Sequence, residues 1–96
     1  MKAYKHLVKH ALAQNCTVSV WDGEEWQVKR SSGYKAIIEA IEGVEEAELI
    51  IRDNHGDKMG WARVSAFGLE DDETVVDNTM TDFMNSWDEA YALTLA

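Results

Sequence analysis

The chain has 96 residues and a formal net charge of −9. A chain of this length builds one domain around one modest core, so we expect a single domain over residues 1–96. Its hydrophobic fraction of 46% is ordinary for a globular protein and argues against disorder. Residues 1–30 hold five Lys/Arg against three Asp/Glu, whereas residues 31–96 hold four against fifteen. This negative balance argues against direct binding to nucleic acid or anionic lipid.

Targeting and redox signals point to a cytoplasmic protein. No apolar run approaches the ~20 residues of a membrane span, and no signal peptide follows Met1. The single cysteine, Cys16, excludes an internal disulfide and forms no paired-cysteine metal site. We therefore expect no metal, no cofactor and no membrane contact.

The spacing of apolar residues predicts an amphipathic helix over Met1–Asn15. Its apolar face carries Tyr4, Leu7, Val8, Ala11 and Leu12. Asn15 can end the helix in the left-handed conformation. His6 and His10 lie four residues apart on the other face, but no acidic or cysteine ligand lies nearby in sequence, which favours a solvated face over a metal site.

A hairpin around Asp22-Gly23 is predicted from the strands Thr17–Trp21 and Trp26–Arg30. An even offset would place the valines of the first strand opposite the face that holds Trp26 and Val28. An odd offset, through a three-residue loop or a bulge at Gly23, unites them. We adopt the odd offset, which puts Thr17, Ser19, Trp21, Gln27 and Lys29 on the outer face.

A second helix is predicted over Gly33–Gly43, with Ser31 or Ser32 as its cap. Its buried stripe is Tyr34, Ile37, Ile38, Ile41 and Val44, and glutamates occupy its exposed side.

The stretch Ala47–Phe67 has the clearest pattern in the chain and predicts two strands around the turn Asn54–Asp57. This turn pairs Asp53 with Lys58 and, further out, Ile50 with Trp61. One face then carries Ala47, Leu49, Ile51, Gly60, Ala62 and Val64, and the other carries Glu48, Ile50, Arg52, Met59, Trp61 and Arg63. A one-residue slip would mix these sets, so the register is well specified.

The rest of the chain predicts an acidic loop and a last helix. Gly68–Thr79 has no strong period and is interpreted as a loop with a short extended piece at residues 74–76. Thr81 or Asp82 caps a helix that runs to about Leu93. The expected fold class is α+β, in the order α-β-β-α-β-β-α, with a four-stranded antiparallel sheet and helices on at least one face.

No motif predicts catalysis. Residues 53–57 superficially resemble a calcium loop but lack the spaced ligands and closing glutamate, so a plain turn is the better interpretation. Cys16 has no activating neighbour in sequence and is expected to be a small core residue. A catalytic pair of His55 and a neighbouring carboxylate can be drawn, but such a pair can be drawn in most proteins and does not indicate an enzyme. We expect a protein that is not an enzyme.

The first of two candidate binding features is an acidic surface. The carboxylates chosen as partner-binding residues are Glu39, Glu42, Glu46, Glu70, Asp71, Asp72, Glu73 and Asp77. Because duplex DNA carries about one negative charge per 1.7 Å, such a surface can imitate DNA for a basic, nucleic-acid-binding enzyme. The alternative is that the carboxylates only keep the protein soluble.

The second feature is an apolar strip on the outer sheet face. It comprises Trp21, Ile50, Met59 and Trp61, and is edged by Lys29, Arg52 and Arg63. Exposed apolar patches mark partner or self-association sites, and tryptophan is enriched at binding hot spots. The alternative is that the last helix covers this face.

Most of the chain resembles a group of small acidic proteins of tailed bacteriophages. The resemblance runs through TVSVWDGEEWQVKRS (residues 17–31), YKAIIEAIE (34–42), EEAELIIRD (45–53), GWA (60–62) and FGLEDDETV (67–75). It implies a protein that acts in the host cell by binding a host enzyme or defence complex.

Together these features predict a non-catalytic phage-type binding protein. It would inhibit or modulate a host protein, either a nucleic-acid-acting enzyme or a defence complex, with acidic DNA mimicry as one mechanism. The alternative is a homodimeric structural or accessory protein that associates through Trp21 and Trp61.

Overall fold

Three helices and five strands follow one another along the chain, and the computed structural model describes residues 1–96. In order they are α1 (Ala3–Ala13), β1 (Thr17–Trp21), β2 (Trp26–Ser31), α2 (Tyr34–Glu42), β3 (Ala47–Arg52), β4 (Lys58–Val64), a 3₁₀ turn (Asp71–Glu73), β5 (Val75–Asn78) and α3 (Asp82–Leu95). The α+β class is confirmed. None of the helices is both long enough and apolar enough to cross a membrane.

The sheet has five strands in the order β2-β1-β3-β4-β5, and every neighbouring pair is antiparallel. The predicted four-stranded sheet and its element order were wrong because β5 pairs with β4. Val75 and Val76 are the apolar start of this strand, and Asp77 and Asn78 complete it. A strand this short carries too little alternation to be recognised from sequence.

The predicted register of the β3–β4 hairpin is confirmed for five successive pairs. These are Glu48–Arg63, Leu49–Ala62, Ile50–Trp61, Ile51–Gly60 and, at the far end, Ala47–Val64. The hairpin departs from prediction beside the turn, where Arg52 pairs with Lys58 and leaves Met59 in a bulge. Asp53 holds this turn by accepting the backbone N–H groups of His55 and Asp57, each at 2.9 Å.

The β1–β2 hairpin differs from prediction at Trp26. Val20 lies opposite Val28, but Trp21 lies opposite Trp26, and the register shifts between these two pairs. Gln27 therefore occupies the irregularity, and Trp26 joins Trp21 on the outer face. The predicted placement of Trp26 beside the valines was wrong because the bulge lies in the strand and not at Gly23.

All three helices pack on the inner face of the sheet, which carries Val18, Val20, Leu49, Ile51, Ala62 and Val64. Phe83, Met84, Trp87 and Tyr91 of α3 belong to the same buried cluster. Helix α3 approaches β4 so closely that a Cβ at Gly60 would lie 2.6 Å from the Met84 Cγ atom. The outer face consequently has no helix over it, and the alternative that α3 covers it was wrong.

Two of the three predictions about helix ends are confirmed. Asn15 follows α1 with a φ of 61°, in the left-handed conformation that was predicted. Thr81 caps α3 by accepting the Met84 N–H, also as predicted. The prediction for α2 was wrong: Gly33 is its N-cap residue, and Ser31 instead accepts the backbone N–H of Gly33.

Candidate functional site

The outer face of the sheet presents a row of apolar side chains from its central strands. Ile50 on β3 lies between Ser19 on β1 and Trp61 on β4, and Trp21 lies opposite Glu48. Ile50, Trp21 and Trp61 are all half-buried, which leaves part of each side chain open to solvent. The structure therefore brings together three of the four residues predicted for an apolar strip.

Trp61 is held by polar contacts, and Trp21 and Trp26 are held by contact with each other. The Trp61 Nε1–H donates to Glu48 Oε1 at 3.0 Å, and the Arg63 guanidinium lies 5.7 Å from the Trp61 ring centroid. The Trp21 and Trp26 rings meet edge to face with centroids 5.0 Å apart. Rigid, partly exposed indoles lose little conformational entropy on contact with a partner, which suits them to be anchors.

Met59 and Trp26 exchange the places that sequence reasoning assigned to them. Met59, in the β4 bulge, packs against the buried cluster. Trp26 is 40% exposed and lines an apolar groove of about 340 Å³ together with Trp21, Glu48 and Ile50. The signal for Trp26 was the pair of tryptophans on either side of a short turn, since aromatic side chains commonly pair across strands.

A second depression adjoins this groove and has the opposite character. It has a volume of about 220 Å³ and is lined by Ser19, Trp26, Lys29, Arg30, Ile50 and Arg52. We call it the cationic pocket. Sequence reasoning noted Lys29 and Arg52 at the edge of the strip but missed Arg30, whose backbone φ of 47° departs from strand geometry.

Carboxylates gather at the opposite end of the strands, which we call the acidic end. The β1–β2 connection contributes Glu24 and Glu25, the α2–β3 connection contributes Glu45 and Glu46, and the segment before β5 contributes residues 70–73. The antiparallel order brings these three connections to one end of the sheet. The molecule is therefore electrically polarised along its strands.

The eight predicted acidic residues fall into two groups. Three are paired: Glu39 with Lys35 at 3.9 Å, Glu42 with Lys5 at 3.7 Å, and Glu46 with Arg63 at 3.2 Å. The other five are exposed and have no cation within 4.0 Å, and they are Glu70, Asp71, Asp72, Glu73 and Asp77. The whole run of residues 70–73 is thus exposed and free of ion pairs.

Glu42 also accepts a short hydrogen bond from the Tyr4 hydroxyl. Burial raises the pKa of Tyr4 well above its usual range, and the bond to Glu42 raises it further. The Tyr4 backbone N–H donates to Thr74 Oγ1 at 3.2 Å, so one residue of α1 joins the end of α2 to the start of β5. Glu42 is therefore part of the framework of the acidic end.

Residues with catalytic or metal-binding potential are dispersed. His55 is exposed in the β3–β4 turn, and Cys16 is buried in the connection between α1 and β1. Burial raises the pKa of the Cys16 thiol, and the charge of Asp53 adds to this rise. The His6 and His10 rings stack with centroids 6.5 Å apart, and His6 Nδ1 accepts the Trp87 indole N–H. No group of three or more potential metal ligands is present.

The fold and the outer face define a small antiparallel sheet with one face packed and one face open. No family model, curated protein or solved structure matches this chain. The features of the molecule that bear on its function are the outer face, the cationic pocket and the acidic end.

Proposed function

We propose that this chain is a non-catalytic binding protein of phage type that inhibits or modulates a host protein through the outer face of its sheet. The observation that carries the proposal is the uncovered row of Trp21, Ile50 and Trp61, extended by Trp26. An antiparallel sheet with one solvated face normally alternates apolar and polar residues, whereas this open face carries three tryptophans. Partly exposed aromatic clusters are typical of binding hot spots.

Capture from a host lysate with matched variants tests this function. Trp61→Lys removes the indole and introduces a cation that can pair with Glu48. Leu93→Lys makes the same charge change at an exposed residue of α3, away from the sheet. We expect the wild-type chain and Leu93→Lys to capture the same protein, and Trp61→Lys to bind it roughly tenfold or more weakly. Equal capture by both variants would contradict the proposal.

The same face supports the alternative of a homodimeric accessory protein. Sedimentation equilibrium distinguishes the two, since the chain has a mass of 10.9 kDa. A host-binding monomer sediments at this mass. A dimer that dissociates in Trp61→Lys, and persists in Leu93→Lys, would support the alternative instead.

A second candidate mechanism, acidic mimicry of DNA, is favoured by the gathering of carboxylates at one end. Glu70–Glu73 would steer a basic host protein toward the chain, because long-range attraction raises association rates. Replacing Asp71 and Asp72 with lysine should slow association and flatten its dependence on salt. The matched change at the exposed Asp88 and Glu89 of α3 should have a smaller effect. An association rate that changes neither with salt nor with these substitutions would rule out mimicry.

A further inference from the structure

The cationic pocket concentrates positive charge that no carboxylate neutralises. Lys29 and Arg30 come from β2 and Arg52 comes from β3, and none of the three has a carboxylate oxygen within 4.0 Å. The chain has 18 Asp/Glu for 9 Lys/Arg, so these cations are not unpaired because the chain lacks carboxylates. Arg63, on the same face but outside the pocket, is paired with Glu46.

Arg30 is held in this pocket at a conformational cost. Its φ of 47° lies in the left-handed region. This backbone conformation is energetically unfavourable for a residue with a Cβ atom, and it persists only where the surrounding structure enforces it. The enforcing contact is the Arg30 backbone N–H, which donates to Ser19 Oγ at 2.8 Å. The Arg30 guanidinium extends toward Gly56. The Gly56 carbonyl accepts a hydrogen bond from Arg52 Nη1 at 3.0 Å.

Ser19 supplies a buried donor to the same pocket. Its side chain is one of only two polar side chains in the buried set, with 5% of the residue exposed. The Ser19 oxygen accepts the Arg30 N–H, and its own hydroxyl proton remains available to an acceptor in the pocket. The pocket therefore offers two guanidinium groups, an ammonium and a hydroxyl to one anionic group.

The apolar groove continues directly from the cationic pocket. Trp26 and Ile50 line both depressions, and the groove ends at Glu48. Glu48 Oε1 accepts the Trp61 indole, which leaves Oε2 available to a further donor. The outer face thus presents three features in sequence: hydrogen-bond donors for an anion, a flat aromatic wall and a carboxylate acceptor.

We propose that the cationic pocket and the apolar groove bind a mononucleotide. The phosphate monoester, which carries a charge of about −1.5 to −2, contacts Arg30, Arg52 and Lys29. The base packs against the indoles of Trp26 and Trp21, as bases do on aromatic side chains. Glu48 accepts a hydrogen bond from an exocyclic amino group, which favours adenine, guanine or cytosine over bases that lack one.

A single nucleotide fits the charge distribution better than a nucleic-acid strand. Beyond Trp21 the outer face reaches Glu24 and Glu25 of the acidic end, which repel further phosphates. Both depressions are open to solvent and enclose little of a ligand, so the expected Kd is on the order of 1 mM.

The test is a titration followed by the indole N–H signals in ¹H–¹⁵N NMR spectra, with AMP, adenosine and inorganic phosphate as probes. AMP should shift the Trp26 and Trp21 signals saturably and leave that of the buried Trp87 unchanged. It should bind about tenfold more tightly than either adenosine or phosphate, because it engages both depressions. Adenosine or phosphate binding as tightly as AMP would overturn the proposal.

Matched arginine variants test the geometry. Arg30→Gln and Arg52→Gln should each weaken AMP binding about tenfold, whereas Arg63→Gln should leave it unchanged. Backbone signals of the inner strands serve as the check that each variant is folded. Equal affinities for AMP in all three variants and the wild type would overturn the assignment of the pocket.

Two further probes separate a mononucleotide from related ligands. Phenyl phosphate binding as tightly as AMP would identify a general site for aromatic phosphates, including phosphotyrosine, and overturn the nucleotide proposal. A single-stranded oligo(dA) binding more tightly per nucleotide than AMP would identify a strand-binding surface instead, with the same consequence.

Discussion

Gly60 illustrates how a single atom position governs the packing of a helix on this sheet. Alanine at this position would place its Cβ 2.6 Å from Met84 Cγ and 2.7 Å from Met84 Sδ. We expect Gly60→Ala to lower the free energy of unfolding by about 1–3 kcal/mol, as overpacking typically does. Urea denaturation measures this change. Gly33→Ala is the control, because its Cβ would meet no atom closer than 3.7 Å, and it should change stability by less than about 1 kcal/mol.

His10 makes the stability of the fold dependent on pH. Burial lowers the pKa of His10, and the neighbouring His6 lowers it further. The ring also faces Phe83, with centroids 5.4 Å apart. Since the unfolded histidine has a pKa of about 6.5, the unfolded chain binds the proton first as the pH falls. The stability contributed by neutral His10 is therefore complete above about pH 6.5 and is lost progressively below it.

Unfolding free energies measured from about pH 7.5 down to about pH 5.5 test this linkage. The wild-type chain should lose stability over this interval, and His10→Gln should show a flatter profile. Parallel profiles for the two proteins would show that His10 does not contribute.

Residue identity alone explains part of what could be predicted. Asn15 was predicted to adopt positive φ because its short amide side chain tolerates that region. The positive φ of Arg30 was not predicted, since nothing in the neighbouring residues signals that an arginine adopts the left-handed conformation. The Ser19 hydroxyl that fixes it lies 11 residues away, across the β1–β2 pair.

Helix α1 and strand β5 are joined by a buried threonine, which acts as a cap from a distant part of the sequence. Lys2 precedes α1 and provides no side-chain cap, whereas Thr74 Oγ1 accepts the Tyr4 N–H at 3.2 Å. The Thr74 hydroxyl in turn donates to the Asp71 carbonyl at 3.1 Å. This connection fixes the start of β5, whose residues 75–78 overlap the short extended piece that was predicted at residues 74–76 within a loop.

Thr74→Val preserves side-chain shape and removes both hydrogen bonds. We expect it to cost about 1–3 kcal/mol, because the buried Tyr4 N–H is left without an acceptor. Thr79→Val is a suitable control, since Thr79 Oγ1 accepts the Trp61 N–H at a half-buried position where water can substitute. Thermal unfolding should show a clearly larger loss for Thr74→Val. Equal losses would contradict the capping role.

The elements with regular alternation were predictable, and those with irregular backbone were not. The β3–β4 register followed from sorting Leu49 and Ile51 onto one face and Glu48 and Arg52 onto the other. In β2 the bulge at Gln27 reverses the side on which Trp26 lies, and no alternation rule locates a bulge in a five- or six-residue strand. The open strip was therefore predicted in outline, but the groove and cationic pocket beside it required the β2 backbone.

At the scale of the whole molecule, the separation of charge along the strands has an energetic cost. The chain carries −9 overall, and many of its carboxylates share the acidic end. Mutual repulsion destabilises the compact state and is weakened by salt, since the Debye length falls from about 30 Å at 0.01 M to about 3 Å at 1 M.

Raising NaCl from about 0.01 M to about 1 M should therefore raise the Tm by about 5 °C, equivalent to roughly 1 kcal/mol for a domain of this size. Replacing Asp71 and Asp72 with asparagine should reduce this increase. The same change at Asp88 and Glu89 (to asparagine and glutamine) should reduce it less. A Tm that does not respond to salt would show that repulsion at the acidic end is negligible.

The left-handed backbone at Arg30 also bears on how copies of this chain meet in crowded solution. Strand β2 forms one rim of the sheet, and its pairing with β1 is interrupted twice. A bent rim bearing Lys29 and Arg30 is a poor template for an incoming strand, which is how natural sheets resist edge-to-edge stacking. We expect concentrated samples to remain free of thioflavin-positive fibrils, despite a six-residue strand at the boundary of the sheet.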